Sequence, residues 1–381
     1  MSSWGRTNLI NIATPLSIQV LFVIDIEEYL EDMKKMIEPL IERALPKEID
    51  ARYVDYLSGR PAFAYDTEAL TKGLSEPIWD FLSRGGKRWR PAMFLLIVKA
   101  LGGDMDKARD FAALPELVHN GTIIVDDIED GADTRRGEPS LHLKYGVDTA
   151  INSGNAIYFI PLAIIEGNRG KYSDDVLLDM YSIYSKEMIN VHMGQVLDIA
   201  WHRGEREPVD ITEDQYLQMC AYKTGTLARM SAKMAAVLSG ADDRQIMALG
   251  RFAESIGVAF QIQDDILDVV ISGEDREKFG KPYGNDITEG KITLLVIKTL
   301  QDADPKDRDQ LIKVLQSHTK NKRSIDSAIR IIKNYGAIES ASAVAKNLVE
   351  ASWADAKMVI PDGEAKNILE AFAHFLIERN I

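Results

Sequence analysis

The sequence predicts an all-α fold, a single large helical bundle around a central cavity. Apolar residues recur every three or four positions, no strand-like alternation bounded by hairpin turns appears, and glycine-containing turns divide the chain into long blocks.

The period is clearest from Ile26, where Tyr29, Leu30, Met33, Ile37, Leu40, Ile41 and Ala44 fall on one helical face and Pro46 lies just beyond it. It returns in Ile325, Ala328, Ile329, Ile332 and Tyr335, and again between Ala365 and Ile377. The dividing signals are Gly85-Gly86, Gly102-Gly103, the stretch from Gly131 to Pro139, Gly204 to Pro208, Gly240-Ala241-Asp242, and the loop from Gly280 to Gly290. Length alone suggests roughly two to three domains. No Pro/Gly/Ser-rich linker or change of composition interrupts the chain, so residues 26–381 are read as one domain and residues 1–25 as an amino-terminal arm without an assigned role.

A chain of 381 residues that is 46% hydrophobic and 27% charged can bury a large core. Its net charge of −14 repels nucleic acid, which is excluded as an expected partner. Cys220 is the only cysteine, so neither an intramolecular disulfide framework nor a multi-cysteine metal site is available, and a reducing cytoplasm fits. The apolar segment Leu9 to Ile24 is interrupted by Asn11, Thr14, Pro15, Ser17 and Gln19 and falls short of the ~20 apolar residues of a membrane span. Acidic residues begin at Asp25 without a small-residue cleavage pattern, so a secretory signal is not expected either.

Chemistry concentrates in two acidic clusters. Asp126-Asp127-Ile128-Glu129-Asp130 continues the apolar run Thr122 to Val125, so a helix places Asp126 and Asp130 one turn apart on one face. Two carboxylates so placed repel by ~4 kcal/mol at ~4 Å and an effective dielectric of ~20, and a divalent cation reverses the sign. Asp264, Asp265 and Asp268 repeat the spacing after the apolar segment Ile256 to Ile262. Oxygen donors without a histidine partner select a hard cation, and magnesium suits such sparse sites because it retains waters and shares phosphate oxygens. One DDxxD alone is equally the pattern of a solvated acidic helix face. Two of them, each following an apolar run and each followed by basic residues, are not.

The cations are grouped as well. Gly85-Gly86-Lys87-Arg88-Trp89-Arg90-Pro91 carries three cations in four residues after two glycines, a loop able to wrap a diphosphate. Arg135-Arg136-Gly137 follows the first acidic cluster, Lys223-Thr224 sits in a neutral segment, and Lys281, Asp286 and Lys291 follow the second cluster. Arginine offers phosphate a planar fork and lysine a point charge. Taken singly, each of these is also a plain surface charge.

Together these segments resemble the trans-isoprenyl diphosphate synthases, the family of farnesyl and geranylgeranyl diphosphate synthases. Six motifs agree in order: the GGKRxRP loop, the histidine of Glu116-Leu117-Val118-His119, the first DDxxD with its RRGxP, Lys223-Thr224, the FQxQDDxxD from Phe260 to Asp268, and the GKxxGxD loop ending at Lys291. The resemblance implies the isoprenoid synthase type of helical bundle and a prenyltransferase that condenses isopentenyl diphosphate with an allylic diphosphate (dimethylallyl, geranyl or farnesyl). It implies magnesium, three ions with the allylic diphosphate bound, held by Asp126, Asp130 and Asp264 with Asp127, Asp265 and Asp268 as further ligands or supports. Arg135, Lys223 and Lys281 would bind the allylic diphosphate, Thr224 and Gln261 would line the reacting centre, and Lys291 would close the loop over bound phosphate. Lys87, Arg90, His119 and Arg136 would form a separate, metal-free pocket for isopentenyl diphosphate. His142, His192, His202, His318 and His374 are read as ordinary core or helix-face histidines.

In this family the product lengthens until its tail meets a floor beside the first aspartate helix. Gly121, about 7.5 Å along the axis from Asp126, and Thr122 are not aromatic, so the tail path is open there and a product at least as long as geranylgeranyl diphosphate is expected. Pro115 and Gly121 should bend or loosen that helix, and Met93, Phe94 or Met188 could supply the floor instead. Three alternatives carry different signatures: a longer-chain synthase (geranylfarnesyl or beyond), a terpene cyclase, which has no use for the second anion pocket, and a non-catalytic partner subunit, which would have lost aspartates. The resemblance further implies a cytoplasmic homodimer whose greasy product brings peripheral contact with membranes.

Overall fold

A computed structural model describes residues 25–271 and 283–377, and all but a short hairpin of its regular structure is helical. The expected arm lies outside the described residues apart from Asp25, whose carboxylate caps the first helix by accepting from the amides of Glu27 and Glu28. That helix, α1 (Ile26–Ala44), runs through Pro39, a position that ordinarily costs ~3 kcal/mol. The apolar face offsets this: Ile26, Leu30, Met33, Ile37, Leu40 and Ile41 are all buried, each contributing roughly 1.5–3 kcal/mol.

The helices that build the site follow in order: α2 (Glu76–Ser83), α3 (Trp89–Ala100), α4 (Ala113–Glu129), α5 (Leu141–Tyr145), α6 (Val147–Phe159), α7 (Asp174–His202), α8 (Glu213–Cys220), α9 (Thr226–Leu238), α10 (Asp243–Val270), α11 (Asn285–Glu289), α12 (Leu294–Asp302), α13 (Pro305–Gln316), α14 (Lys322–Asn334), α15 (Ala337–Ala356) and α16 (Glu364–Ile377). Capping boxes start two of them, Thr212 with Gln215 for α8 and Asp242 with Gln245 for α10. The centre is α10, packed against α9 and α15, while α9 touches α3 and α7, and α4 lies along α6. Helix α3 is buried on nearly every side, so its sequence is apolar around its circumference. One continuous apolar core runs from Ile26 to Ala373.

The turn signals fall between helices as expected, except that residues 285–289 of the last loop form α11. The hairpin pairs β1 (Thr134–Arg135) with β2 (Glu138–Pro139), too short for any alternation to show in the sequence. Helix α4 is unbroken through Pro115 and Gly121: Pro115 falls in its first turn, where a missing N–H is least costly. Gly121 is where α6 comes close, since a Cβ there would lie 2.9 Å from the carbonyl oxygen of Gly154 and 2.8 Å from Ile157. Among the described residues no helix is long and apolar enough to cross a membrane.

Candidate active site

Helix α4 ends in a Schellman turn. Gly131 adopts φ +61°, its amide bonds the carbonyl of Ile128, and the amide of Ala132 bonds that of Asp127. This seats Asp130 at the helix end beside Asp126 and sends the chain straight into the hairpin. Arg136 and Gly137 both have positive φ, the tight turn that matches strand twist, so Arg136 stands at the tip. Lys223 and Thr224 ride on a π-helical turn, Ala221–Gly225, between α8 and α9. Gly194 of α7 admits that turn, because a Cβ on it would come 2.3 Å from the Lys223 amide.

These elements enclose a cavity of about 800 Å³ lined by Asp126 and Asp130 from α4, Asp264 and Asp265 from α10, and Lys223, Thr224, Gln261 and Lys291. On the first wall, Lys223 bridges Asp126 (3.2 Å) and Asp198, and Lys291 bridges Asp130 (3.2 Å) and Glu289. Gln195 donates to both Asp126 (2.8 Å) and Glu129 (2.7 Å). Burial alone would raise the Asp126 carboxyl, but Lys223, Lys291 and Arg135 outweigh it and hold it well below the usual carboxylate range. Burial lifts Asp130 to about 6, with Asp126 adding to the rise and Lys291 opposing it.

Asp127 and Asp268 are engaged behind the cavity surface, and Asp265 is tied down at it. Asp127 is buried and takes the Arg135 guanidinium (Nε 2.7 Å). Arg135 therefore reaches the first wall through Asp127 and stands 3.9 Å from Asp126. Asp265 accepts from Tyr216 Oη (2.6 Å) and Gln261 Nε2 (2.9 Å), and Gln261 Oε1 accepts from Thr224 (3.0 Å). Asp268 is fully buried and accepts the amides of Asn285 (3.3 Å) and Asp286 (3.1 Å), which fixes the start of α11.

At the other end Arg90 and His119 line the cavity, with Arg136 and Arg88 close by. Arg88, left-handed at φ +51°, is neutralised by Glu116 (2.8 Å) and Glu38 (2.9 Å). Among the described residues Arg90 has no comparable partner: its Nε lacks one, and burial together with Arg136 pushes it down to about 10, against Glu116. Burial, followed by repulsion from Arg90, Arg136, Arg88 and Arg135, drives His119 well below the usual histidine range, so it is neutral. Lys87 does not join this group. Its side chain is 41% exposed, 3.5 Å from Glu27 and over the Phe375 ring, because the loop turns it towards α1 and α16. Lys281 lies outside the described residues.

The sequence reading missed Gln195, Asp198, Glu129 and Tyr158. The polar residues Gln195 and Asp198, three apart and on the helix face that also carries His192 and His202, were the available signal. Three histidines read as ordinary, His192, His202 and His318, line the cavity. The residues considered for the end of the tail path fall differently. Gly121 faces α6, and neither Met93, Phe94 nor Met188 lines the cavity; Tyr158 and His192 do, with their rings edge to face at 5.7 Å.

The aspartates on the two walls give oxygen donors suited to a hard cation. Among the described residues no three His, Cys, Asp or Glu side chains meet as a finished metal cluster, since Lys223 and Lys291 hold the first wall's carboxylates.

Comparison with known proteins bears on this geometry. The family model described as polyprenyl synthetase matches residues 71–332. The short chain isoprenyl diphosphate synthase of Methanothermobacter thermautotrophicus is 36% identical over 78% of this chain and 88% of its own. The geranylgeranyl diphosphate synthase of Sulfolobus acidocaldarius is 31% identical over 80% and 91%. The solved geranylgeranyl pyrophosphate synthetase of Pyrococcus horikoshii superposes with a TM-score of 0.79 at 29% identity, covering 93% of this chain and 99% of that one. With its helical bundle, paired aspartate walls and arginine cluster, the chain belongs to the polyprenyl synthetase family and is a prenyltransferase.

Proposed function

We propose that the chain condenses isopentenyl diphosphate with an allylic diphosphate, releases pyrophosphate, and makes mainly geranylgeranyl diphosphate. The observation that carries this is the opening of two aspartate walls and a surplus of buried cations onto one cavity. Asp126, Asp130 and Asp264 would hold magnesium, three ions with substrate bound, while Asp127, Asp265 and Asp268 keep the walls in place. Bound magnesium would neutralise charge growing on the departing diphosphate.

Lys223 and Arg135, with Lys291 and, as the resemblance implies, Lys281, bind the allylic diphosphate and stabilise it as the carbon–oxygen bond breaks. Thr224 and Gln261, locked to each other, direct their dipoles at the allylic cation. Arg90, His119 and Arg136 hold isopentenyl diphosphate so that its double bond lies within ~3–3.5 Å of that carbon, and Lys87 joins them once it leaves Glu27. The departing pyrophosphate takes the final proton.

Tail length is limited where Tyr158 and His192 meet the cavity below Thr122. Tyr158→Ala should lengthen the product by at least one five-carbon unit. Chromatography of products from purified enzyme, magnesium, isopentenyl diphosphate and each short allylic primer tests the whole reading. A hydrocarbon from an allylic diphosphate alone would make the chain a cyclase, and no turnover by the single chain would make it a partner subunit.

The homodimer is supported by apolar residues left exposed along α6 (Val147, Ile151, Phe159) and α7 (Ile189, Met193, Val196). Light scattering would check it. A cytoplasmic place, with product handed to membranes, completes the proposal.

A further inference from the structure

Arg84 ends α2 just before the glycine loop, and its side chain is only 4% exposed. Nε and Nη2 both donate to Asp80 Oδ1, at 3.0 and 2.9 Å. Nη1 points the other way, to the carbonyl oxygens of Pro139 (2.9 Å) and Arg135 (3.4 Å) on the hairpin. Asp80 cannot follow a swinging arginine, because Tyr145 (2.9 Å) and Lys144 of α5 hold its other oxygen. The tie is returned from the hairpin: Arg136 Nη1 donates to the carbonyl of Gly85, 2.5 Å away. Both guanidiniums lie over the buried Phe81 ring, 5.6 Å for Arg84 and 5.2 Å for Arg136.

A hairpin of two-residue strands does not hold its own position, so its placement comes from bonds to the rest of the molecule. We infer that Arg84 is a positioning residue: it fastens the hairpin of Arg135 and Arg136 to the glycine loop and so sets the spacing between the two diphosphate subsites. Arg84 touches no substrate and acts through Arg136, whose guanidinium it keeps beside Arg90 and His119. The inference rests on the reading of those three residues as the isopentenyl diphosphate niche.

Two measurements on the full chain separate the inference from that reading. Calorimetric titration of inorganic pyrophosphate without metal probes the cationic niche directly, and steady-state KM for isopentenyl diphosphate with magnesium and saturating allylic substrate probes its use. Arg84→Met should weaken both about tenfold, the effect of one lost charge-assisted contact, with kcat within about threefold. Arg84→Lys should recover the thermal midpoint without recovering KM, since one ammonium cannot span Asp80 and the hairpin carbonyls. In a cycle with Arg136→Met the double variant should be less impaired than the product of the single effects. Wild-type KM and pyrophosphate affinity in a folded Arg84→Met, full rescue of KM by lysine, or strictly multiplicative effects would each overturn the inference. A wild-type protein that binds no metal-free pyrophosphate would overturn the niche and the inference with it, whereas pyrophosphate binding without turnover would count against the reaction alone.

Discussion

The two ends of the cavity solve opposite electrostatic problems. On the first aspartate wall Asp126, Asp127 and Asp130 each already have a cation: Lys223 lies between Asp126 and Asp198, Lys291 between Asp130 and Glu289, and Arg135 on Asp127. At the arginine end the cations outnumber their partners, with Glu116 and Glu38 serving Arg88 while Arg90 and Arg136 are both held down to about 10, chiefly by burial. A balanced wall must be reorganised before it can take a polyanion, and Asp126, Asp130 and Asp264 would hold the magnesium that supplies the missing positive charge. An end with surplus cations is ready for a bare anion and needs no metal. The difference in charge balance is what supports the proposed placing of the two substrates at the two ends.

The largest expected effect tests the balanced wall. Asp126→Ala leaves Lys223 with one carboxylate partner and removes an oxygen donor, and kcat should fall by about 10²–10³ while KM for isopentenyl diphosphate changes little. A loss confined to KM for isopentenyl diphosphate would show that the ends are not separate. Arg136→Met addresses the other end: KM for isopentenyl diphosphate should rise about 10- to 100-fold with a smaller change in kcat. An equal loss of allylic affinity would merge the two subsites.

How much of this contrast was legible from sequence depends on the kind of signal. The helices, their turns and both aspartate clusters could be read because period and spacing are local. Asp268 repeats the spacing of Asp264 on the same face of α10, yet one caps α11 from the core and the other lines the cavity, a distinction made by depth along the helix, since Asp268 lies one turn further on beneath the start of α11. Gly121 looked like open space beside the tail, and the space is taken by Tyr158 of α6, since a Cβ at 121 would lie 3.0 Å from that ring. Such facts depend on which helix lies alongside, and a single sequence carries no signal for it. Lys87 was grouped with Arg90 by the family resemblance, whereas positive φ at Gly85, Gly86 and Arg88 turns their side chains apart.

A third charged assembly serves as a control for the comparison, since it is balanced and lies off the cavity. Glu187 of α7 is buried and accepts from Arg229, Thr226 and Lys233 (3.2 Å). Burial works to raise its carboxyl, but Arg229, Thr226 and Lys233 prevail and pull it down to about 2 from an ordinary 4.5. The folded protein then binds fewer protons than the unfolded chain. The stabilisation, roughly 3 kcal/mol, is complete above pH ~4.5 and is lost as pH falls towards ~2. Glu187→Gln should lower stability most at neutral pH, with the gap to wild type closing below pH ~4.5 in acid unfolding followed by circular dichroism. Its kcat and both KM values should stay within about twofold, and a larger kinetic loss would tie this network to the aspartate wall.

The smallest expected effect belongs to Lys87 and bears on how the surplus end is built. Its contact with Glu27 is an exposed ion pair, worth about 0–1 kcal/mol, so exchange of that carboxylate for a diphosphate meets little resistance. The ammonium can therefore join the bound anion, but as a hydrated and mobile charge it adds less than the buried fork of Arg90 and the half-buried fork of Arg136. Lys87→Ala should raise KM for isopentenyl diphosphate about threefold, with more of that increment lost in high salt than for Arg136→Met, because exposed charges are screened and buried ones are not. If Lys87→Ala instead matched Arg136→Met in size and salt dependence, the anion would have to sit out at the glycine loop, and the buried arginines would lose their place as the centre of the niche.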